Sequence, residues 1–383
     1  MDNDVMTNAF PTPPTRIAVG MSGGVDSTVA AWLLVQAGHK VVGLTMQIWD
    51  GSVPLPDEGR SGCFGPGEAR DLAAARSVAE RLGIRHVSIP LAAEYRHCVL
   101  DYFRAEYRAG RTPNPCVVCN RAMKFGLLWE RARAQGIAFD GFATGHYARV
   151  TVDPATGRCR LLRGVDAAKD QSYFLARLTQ DQLRQTRFPL GGMTKREVVA
   201  LARDAGFGDI AERDESQEFI ESADYTPLFE PGDARPGPIV DTTGRVVGQH
   251  AGLIRYTVGQ RTGLGIAAAQ RLYVKALQPD TNTVVVGRRD DVLSAACRVA
   301  DLSWVAGHAP AAGTACRAQL RYRHPGVAAR LFPEADGAWR VAFGEPQFAV
   351  APGQAAAFYD GDEVLGSGWI AAGGDVDYAQ NLA

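Results

Sequence analysis

An apolar pentapeptide, RIAVG at residues 16–20, runs straight into Gly20-Met21-Ser22-Gly23-Gly24-Val25-Asp26-Ser27. From residue 26 to 37, Val29, Ala30, Leu33 and Leu34 then recur at helical spacing. A strand that turns through glycines into an amphipathic helix is the opening unit of an open α/β sheet. The alternation continues, with β-rich runs at 40–49, 85–89 and 139–144 and helical patterns at 68–82, 91–108 and 125–135. Thr194 and Glu197, ahead of Val198 and Leu201, predict a capping box opening a further helix. The expected fold is α/β, a doubly wound parallel sheet covered by helices on both faces. Beyond about residue 225 the texture changes: Pro227, Pro231, Pro236 and Pro238 break the chain, and the later runs are short, β-rich and separated by turn sequences. The expected organisation is a flexible N-terminus (1–15), a nucleotide-binding domain (16–225), a small central β-domain (226–290) and a barrel-like β-domain (294–376).

Charge and cysteine usage narrow the class. With 41 basic and 42 acidic residues the net charge is −1, so a polyanionic partner must be met by local patches. No apolar run approaches the roughly 18 residues of a membrane span, and the polar, Pro-rich start lacks the apolar core of a signal peptide. The seven cysteines are scattered except for Cys116 and Cys119, unlike a secreted disulfide framework. The expectation is a cytoplasmic protein with no membrane partner.

Three motifs carry chemistry. The Gly20–Ser27 turn lets backbone N–H groups and a helix N-terminus approach phosphates, but it lacks the lysine of a Walker A loop. Its SGGVDS string resembles the SGGxDS motif of the PP-loop pyrophosphatases, which bind ATP by its pyrophosphate and transfer AMP to a substrate oxygen. In TPNPCVVCN (112–120) the prolines impose an extended approach, and a helix is expected from about Asn120. Cys119 would then sit near a helix N-terminus with Arg121 and Lys124 close by, a setting that favours thiolate. A zinc half-site, a redox pair and a sulfur-carrying pair are the readings for these thiols; only the last also explains the phosphate loop. Thr144-Gly145-His146-Tyr147 follows a strand, at the sheet edge where α/β folds place ligands. Clustered arginines at 96–133 and at Arg317, Arg321, Arg323 and Arg330, interleaved with Tyr322 and His324, suit RNA phosphates and bases.

Taken together, GMSGGVDS, LTMQIWD, GRTPNPCVVCNRAMKF, ATGHYARV, KDQSYFL, YTVGQRTGLG, LRYRH and PGQAAAFYDGDEVLGSGWI resemble the bacterial tRNA-specific 2-thiouridylases over residues 16–371. The resemblance implies ATP- and Mg²⁺-dependent thiolation of the wobble uridine of tRNAs for Lys, Glu and Gln. It assigns Gly20, Met21, Ser22, Gly23, Gly24, Val25, Asp26 and Ser27 to ATP phosphates, and Met46 and Gly145 to adenosine. Asn114, Pro115, Cys116 and His146 fall near the target base, and Lys169, Asp170, Gln171, Arg321, Tyr322 and Gln354 against tRNA. Cys119 matches the nucleophile, and a sulfur-donor protein (a cysteine desulfurase or a relay protein) is an implied partner. One string departs from the family. Where relatives carry a second active-site cysteine, in a pattern like SQ[DE]xCF, this chain has Ser216-Gln217-Glu218-Phe219-Ile220-Glu221. Cys116 is then the candidate persulfide or resolving thiol; the alternative is an iron–sulfur cluster held by Cys116, Cys119 and a third ligand such as Cys63. Other PP-loop enzymes and non-catalytic RNA-binding proteins share single strings of this set, not all of them.

Overall fold

Along β1 (Arg16–Gly20) the side chains alternate between two apolar clusters. Ile17 and Val19 pack with Val29, Ala30, Leu34, Val198 and Ala202, while Ala18 packs with Leu44, Ile89, Leu128 and Phe142. A strand buried on both faces needs helices on both faces, and that is the expected doubly wound arrangement. The computed structural model describes residues 15–57, 62–212 and 218–371, so the N-terminal segment expected to be flexible lies, up to residue 14, outside the described residues. The strands that follow β1 are β2 (Lys40–Gln47), β3 (Gly62–Phe64), β4 (Arg85–Pro90), β5 (Gly141–Ala143), β6 (Ala148–Val152), β7 (Cys159–Arg163), β8 (Thr186–Arg187) and β9 (Glu218–Ile220). Four of them join β1 in a parallel sheet of order β4-β2-β1-β5-β8. Helices α1 (Val25–Gln36) and α2 (Glu68–Leu82) fall where the periodicity predicts them.

The thiol-bearing helix begins earlier than expected. It starts at Pro115 instead of near Asn120 and continues through a π-helical stretch, Cys119–Leu127, to Ala134. The reason is local: proline is pre-set for the first helical turn, and the Asn114 side chain caps it by accepting from the Val117 N–H at 3.3 Å.

The C-terminal half holds β10 (Gly237–Val240), β11 (Val246–His250), β12 (Tyr273–Gln278) and β13 (Thr283–Gly287), which form one sheet in the order β11-β10-β13-β12. It continues with β14 (Leu293–Trp304), β15 (Thr314–Gln319), β16 (Val327–Pro333), β17 (Trp339–Phe348), β18 (Ala355–Asp360) and β19 (Glu363–Ile370). These six close into a barrel because β14 pairs with both β17 and β19. Val299, Leu331, Val341 and Phe358 fill it.

Sequence periodicity did not lead us to the β6–β7 hairpin, which leaves the α/β region and adds to the barrel sheet along β19. Charge secures the junction: Arg160 meets Glu363 at 2.6 Å, Arg149 meets Asp362 at 2.8 Å, and the Arg163 guanidinium lies 3.6 Å over the Tyr359 ring.

Asp170 ties this corner together from inside. Its carboxylate accepts from Arg163 Nη1 at 2.7 Å, the Gly164 N–H at 3.0 Å, the Ser172 N–H at 3.1 Å and Ser172 Oγ at 2.9 Å. At 8% exposure the carboxylate is buried in this corner. Removing one partner of a buried ion pair strands the other charge. Asp170→Ala should therefore lower the unfolding free energy by about 3 kcal/mol in urea titrations, where a surface contact would leave it unchanged.

Candidate nucleotide and thiol site

Three adjacent strands deliver the expected nucleotide residues to one edge. Gly20 ends β1, Met46 lies at the carboxyl end of β2, and Gly145 lies just beyond β5. The sheet order reverses between β1 and β5, the position where open α/β folds bind ligands. The loop is shaped for an anion. Gly24, the N-cap of α1, supplies no side-chain cap, which leaves the first-turn N–H groups for a ligand. Gly23 has φ +77°, and a Cβ there would stand 2.8 Å from Ala74 Cβ. Ser27 Oγ accepts from the Ser22 N–H at 3.2 Å and donates to the Gly24 carbonyl at 3.1 Å, holding the turn closed. These features fit a nucleotide triphosphate.

Asp26, in the first turn of α1, accepts at Oδ1 from Lys195 Nζ at 2.7 Å and from the Tyr147 hydroxyl at 2.8 Å. Lys195 went unremarked in the sequence, although the capping box that positions it was legible. Thr194 accepts from the Glu197 N–H at 3.3 Å while Glu197 accepts from the Thr194 N–H at 2.7 Å. Asp26 thus places a carboxylate in the first turn after the phosphate loop.

Residues 144–147 touch both this loop and the helix that carries the thiols. A Cβ on Gly145 would lie 2.7 Å from the Asp26 carbonyl carbon, so only glycine lets the two segments touch. His146 accepts or donates at Nδ1 to Thr144 Oγ1 at 2.7 Å and packs its ring 5.9 Å from that of Phe125 on the thiol helix. Burial, and then the charge of Lys124, push the His146 pKa well below its ordinary value, so the imidazole is neutral.

Cys116 and Cys119 stand three residues apart on one helix, hence on one face. Both are partly buried. The expectation of a readily formed thiolate is corrected here: Cys119 is in the second turn of its helix, and burial pushes its thiol up to about 11, with Lys124 pulling the other way. Burial lowers the Lys124 pKa, but the sulfurs of Cys119, Cys63 and Cys116 outweigh it and raise it. Among the described residues no three His, Cys, Asp or Glu side chains are arranged to hold a metal ion.

Several of the residues expected against tRNA make contacts within the protein. Asn114 is 7% exposed, and besides capping its helix it donates from Nδ2 to the Tyr173 hydroxyl at 3.3 Å. Pro115 is buried beside it. Gln354 donates to the carbonyls of Thr112 and Pro113 at 3.1 and 2.9 Å, fixing the approach to the thiols from the barrel side. Gln171 accepts from the Tyr147 N–H at 3.0 Å. The Tyr322 ring lies 4.4 Å from that of Phe174, Lys169 is half-buried, and Arg321 is exposed.

The chain was compared with known proteins. Residues 15–221 match a family model described as the tRNA methyl transferase HUP domain. Residues 228–288 match the PRC-barrel domain of the same name, and 294–370 an aminomethyltransferase β-barrel domain. A tRNA-specific 2-thiouridylase MnmA of Geotalea uraniireducens is 48% identical over 93% of this chain and 94% of its own length. The protein of the same name from Magnetococcus marinus is 45% identical over 94% and 99%. This chain belongs to the tRNA-specific 2-thiouridylase family.

Within that family the departure at residues 216–221 has a structural setting. Ser216 and Gln217 lie outside the described residues, but β9 pairs in parallel with β3, Gly62 opposite Glu218 and Phe64 opposite Ile220. Both strands were missed in the sequence because each is three residues long and finds its partner more than 150 positions away. For this thiouridylase-family site the thiol chemistry is directly measurable. Because Cys119 deprotonates only toward pH 11, its alkylation by iodoacetamide should keep rising through pH 9 and 10. Lys124→Met removes the charge that favours thiolate and should slow the reaction at each pH, as read by peptide mass spectrometry.

Proposed function

We propose that this protein is an ATP-dependent tRNA 2-thiouridylase that replaces the carbon-2 oxygen of the wobble uridine with sulfur, in the tRNAs for Lys, Glu and Gln. The observation that carries the reading is that one segment, Gly145 to Tyr147, touches both the phosphate loop and, through the His146 and Phe125 rings, the helix that carries the thiols. An enzyme that activates an oxygen with a nucleotide and then delivers sulfur to the same carbon needs both groups within reach of one base.

The uracil oxygen is a poor leaving group; adenylation makes it AMP and renders carbon 2 electrophilic, with pyrophosphate released. Gly20–Ser27 hold the phosphates, Met46 and Gly145 border the adenosine, and Asp26 orients the loop and Mg²⁺. Neutral His146 can hydrogen-bond the base without adding charge beside the developing AMP. Cys119 carries the sulfur that attacks carbon 2. Cys116 then attacks Cys119 Sγ, so that the two thiols together supply two electrons, a disulfide forms and the thiolated base leaves. A dithiol reductant reopens the pair. Residues three apart on a helix have Cβ atoms about 5–6 Å apart, so closing the pair needs only a small local adjustment. The base reaches such a pocket by leaving the anticodon stack. A sulfur-donor protein completes the cycle.

Asp26→Ala should abolish tRNA-dependent release of pyrophosphate while leaving tRNA binding within about twofold, measured by filter binding; the carboxylate is at the loop, away from the RNA face. Arg321→Ala should weaken tRNA binding and reduce the slope of log affinity against log salt by about 0.7–1, one phosphate contact.

A further inference from the structure

The helix that carries the thiols is wound in two ways. Pro115–Val118 is α-helical, Cys119–Leu127 is π-helical, and Leu128–Ala134 is α-helical again. A π-turn closes its hydrogen bond one residue later than an α-turn, so it takes up an extra residue between two fixed points. Both points are present here. Ahead of the stretch, Asn114 caps the helix and donates to Tyr173, while Gln354 holds the Thr112 and Pro113 carbonyls. Behind it, Leu128, Trp129 and Ala132 are buried in the apolar core. The winding between these anchors sets the direction in which Cys119 points.

Such wide turns are rare and need support. The inward-facing polar residue of the stretch does not provide it. Asn120 is 3% exposed, its Oδ1 is buried without a hydrogen-bond partner, and its Nδ2 reaches the Phe174 carbonyl only at 3.5 Å. At Phe125 the backbone leaves helical geometry, with φ −102° and ψ 16°.

Support comes from another helix, Gln180–Gln185. Gln182 donates from Nε2 to the Arg121 carbonyl at 2.9 Å and to the Phe125 carbonyl at 2.8 Å. An amide nitrogen carries two hydrogens, so both are spent on this stretch, one of them where the helical geometry breaks. Oε1 of the same side chain accepts from the Thr179 N–H at 3.0 Å, one half of a capping box that fixes the amide in place.

We propose that Gln182 is a positioning residue for sulfur transfer: it locks the thiol helix in its π-wound form and so aims Cys119 at the target base. It acts through the backbone of residues 121 and 125, not by touching a reacting atom. Without the lock the stretch also samples α-wound forms, in which Cys119 is turned about the helix axis by roughly 100°, the angle of one residue. Sulfur transfer then proceeds only from the correctly wound fraction of molecules. Adenylation, at the Gly20–Ser27 loop, does not depend on that winding. The sulfur-transfer part of the assignment rests on the thiouridylase reading; the locking of the helix does not.

Two full-length variants test it. Gln182→Glu keeps an acceptor for the Thr179 N–H but, as a carboxylate, donates to neither carbonyl. Gln182→Met keeps the length of the side chain and brings no charge. In both, hydrogen–deuterium exchange of amides 121–128 should quicken by at least about tenfold, with amides 198–202 unchanged. Single turnovers use a cysteine desulfurase and cysteine as the sulfur source. Pyrophosphate release with tRNA should stay within about twofold of the parent, while 2-thiouridine formation falls by at least about tenfold. A merely structural loss lowers both products together, and that outcome overturns the proposal. Parental thiolation or parental exchange in either folded variant also overturns it. If Gln182→Glu alone fails to fold, the Gln182→Met results decide; if both fail, Gln182 belongs to stability and the proposal falls. A parent that forms no 2-thiouridine overturns the thiouridylase reading, while exchange still decides whether Gln182 locks the helix.

Discussion

The Asp26 carboxylate is the point at which three parts of the chain are held together. It belongs to the phosphate loop, accepts from a tyrosine just beyond β5, and accepts from a lysine at the start of a helix 169 residues further on. Gly145, pressed against the backbone of the same residue, allows the approach. Hydrogen bonds to an ionised group are stronger than neutral ones, and these are shielded, with Tyr147 itself 2% exposed. The loop is thus positioned by side-chain contacts from distant sequence and not only by the strand and helix that flank it. That is why a short Gly-rich turn can stay open to an anion without collapsing on itself.

Much of this was legible in the residues. The inward and outward alternation of Ile17, Ala18 and Val19 encodes a two-faced sheet, the Thr194–Glu197 box encodes its helix start, and the glycines of the loop encode close approach. What was not legible is non-local. The β6–β7 hairpin has ordinary strand chemistry, but nothing in residues 148–163 says that the partner is Glu363, about two hundred positions away. The three-residue strands around Cys63 and Phe219 are too short to show a period. The ionisation of Cys119 was misread for a related reason: charge neighbours are visible along a helix, whereas the apolar packing that opposes them comes from other elements.

Several residues that the resemblance sets against tRNA are held by the protein itself. Asp170, Asn114 and Gln354 all lie around the thiol approach, yet each spends its polar atoms on the protein's own backbone or side chains. Arg321, on the barrel, is exposed.

The hairpin also changes what counts as a separable piece of this protein. The barrel closes on itself through β14 and β19, so an isolated barrel would keep its ring of hydrogen bonds. The α/β region would not be left so tidy. Cut away from residues 294–370, β7 would present an unpaired edge, and Arg149, Arg160 and Arg163 would lose Asp362, Glu363 and the Tyr359 ring together. Open edges of this sort recruit other chains. The covalent order of the three regions therefore understates their dependence: the nucleotide-binding part finishes one of its own hairpins only after the end of the chain has been made.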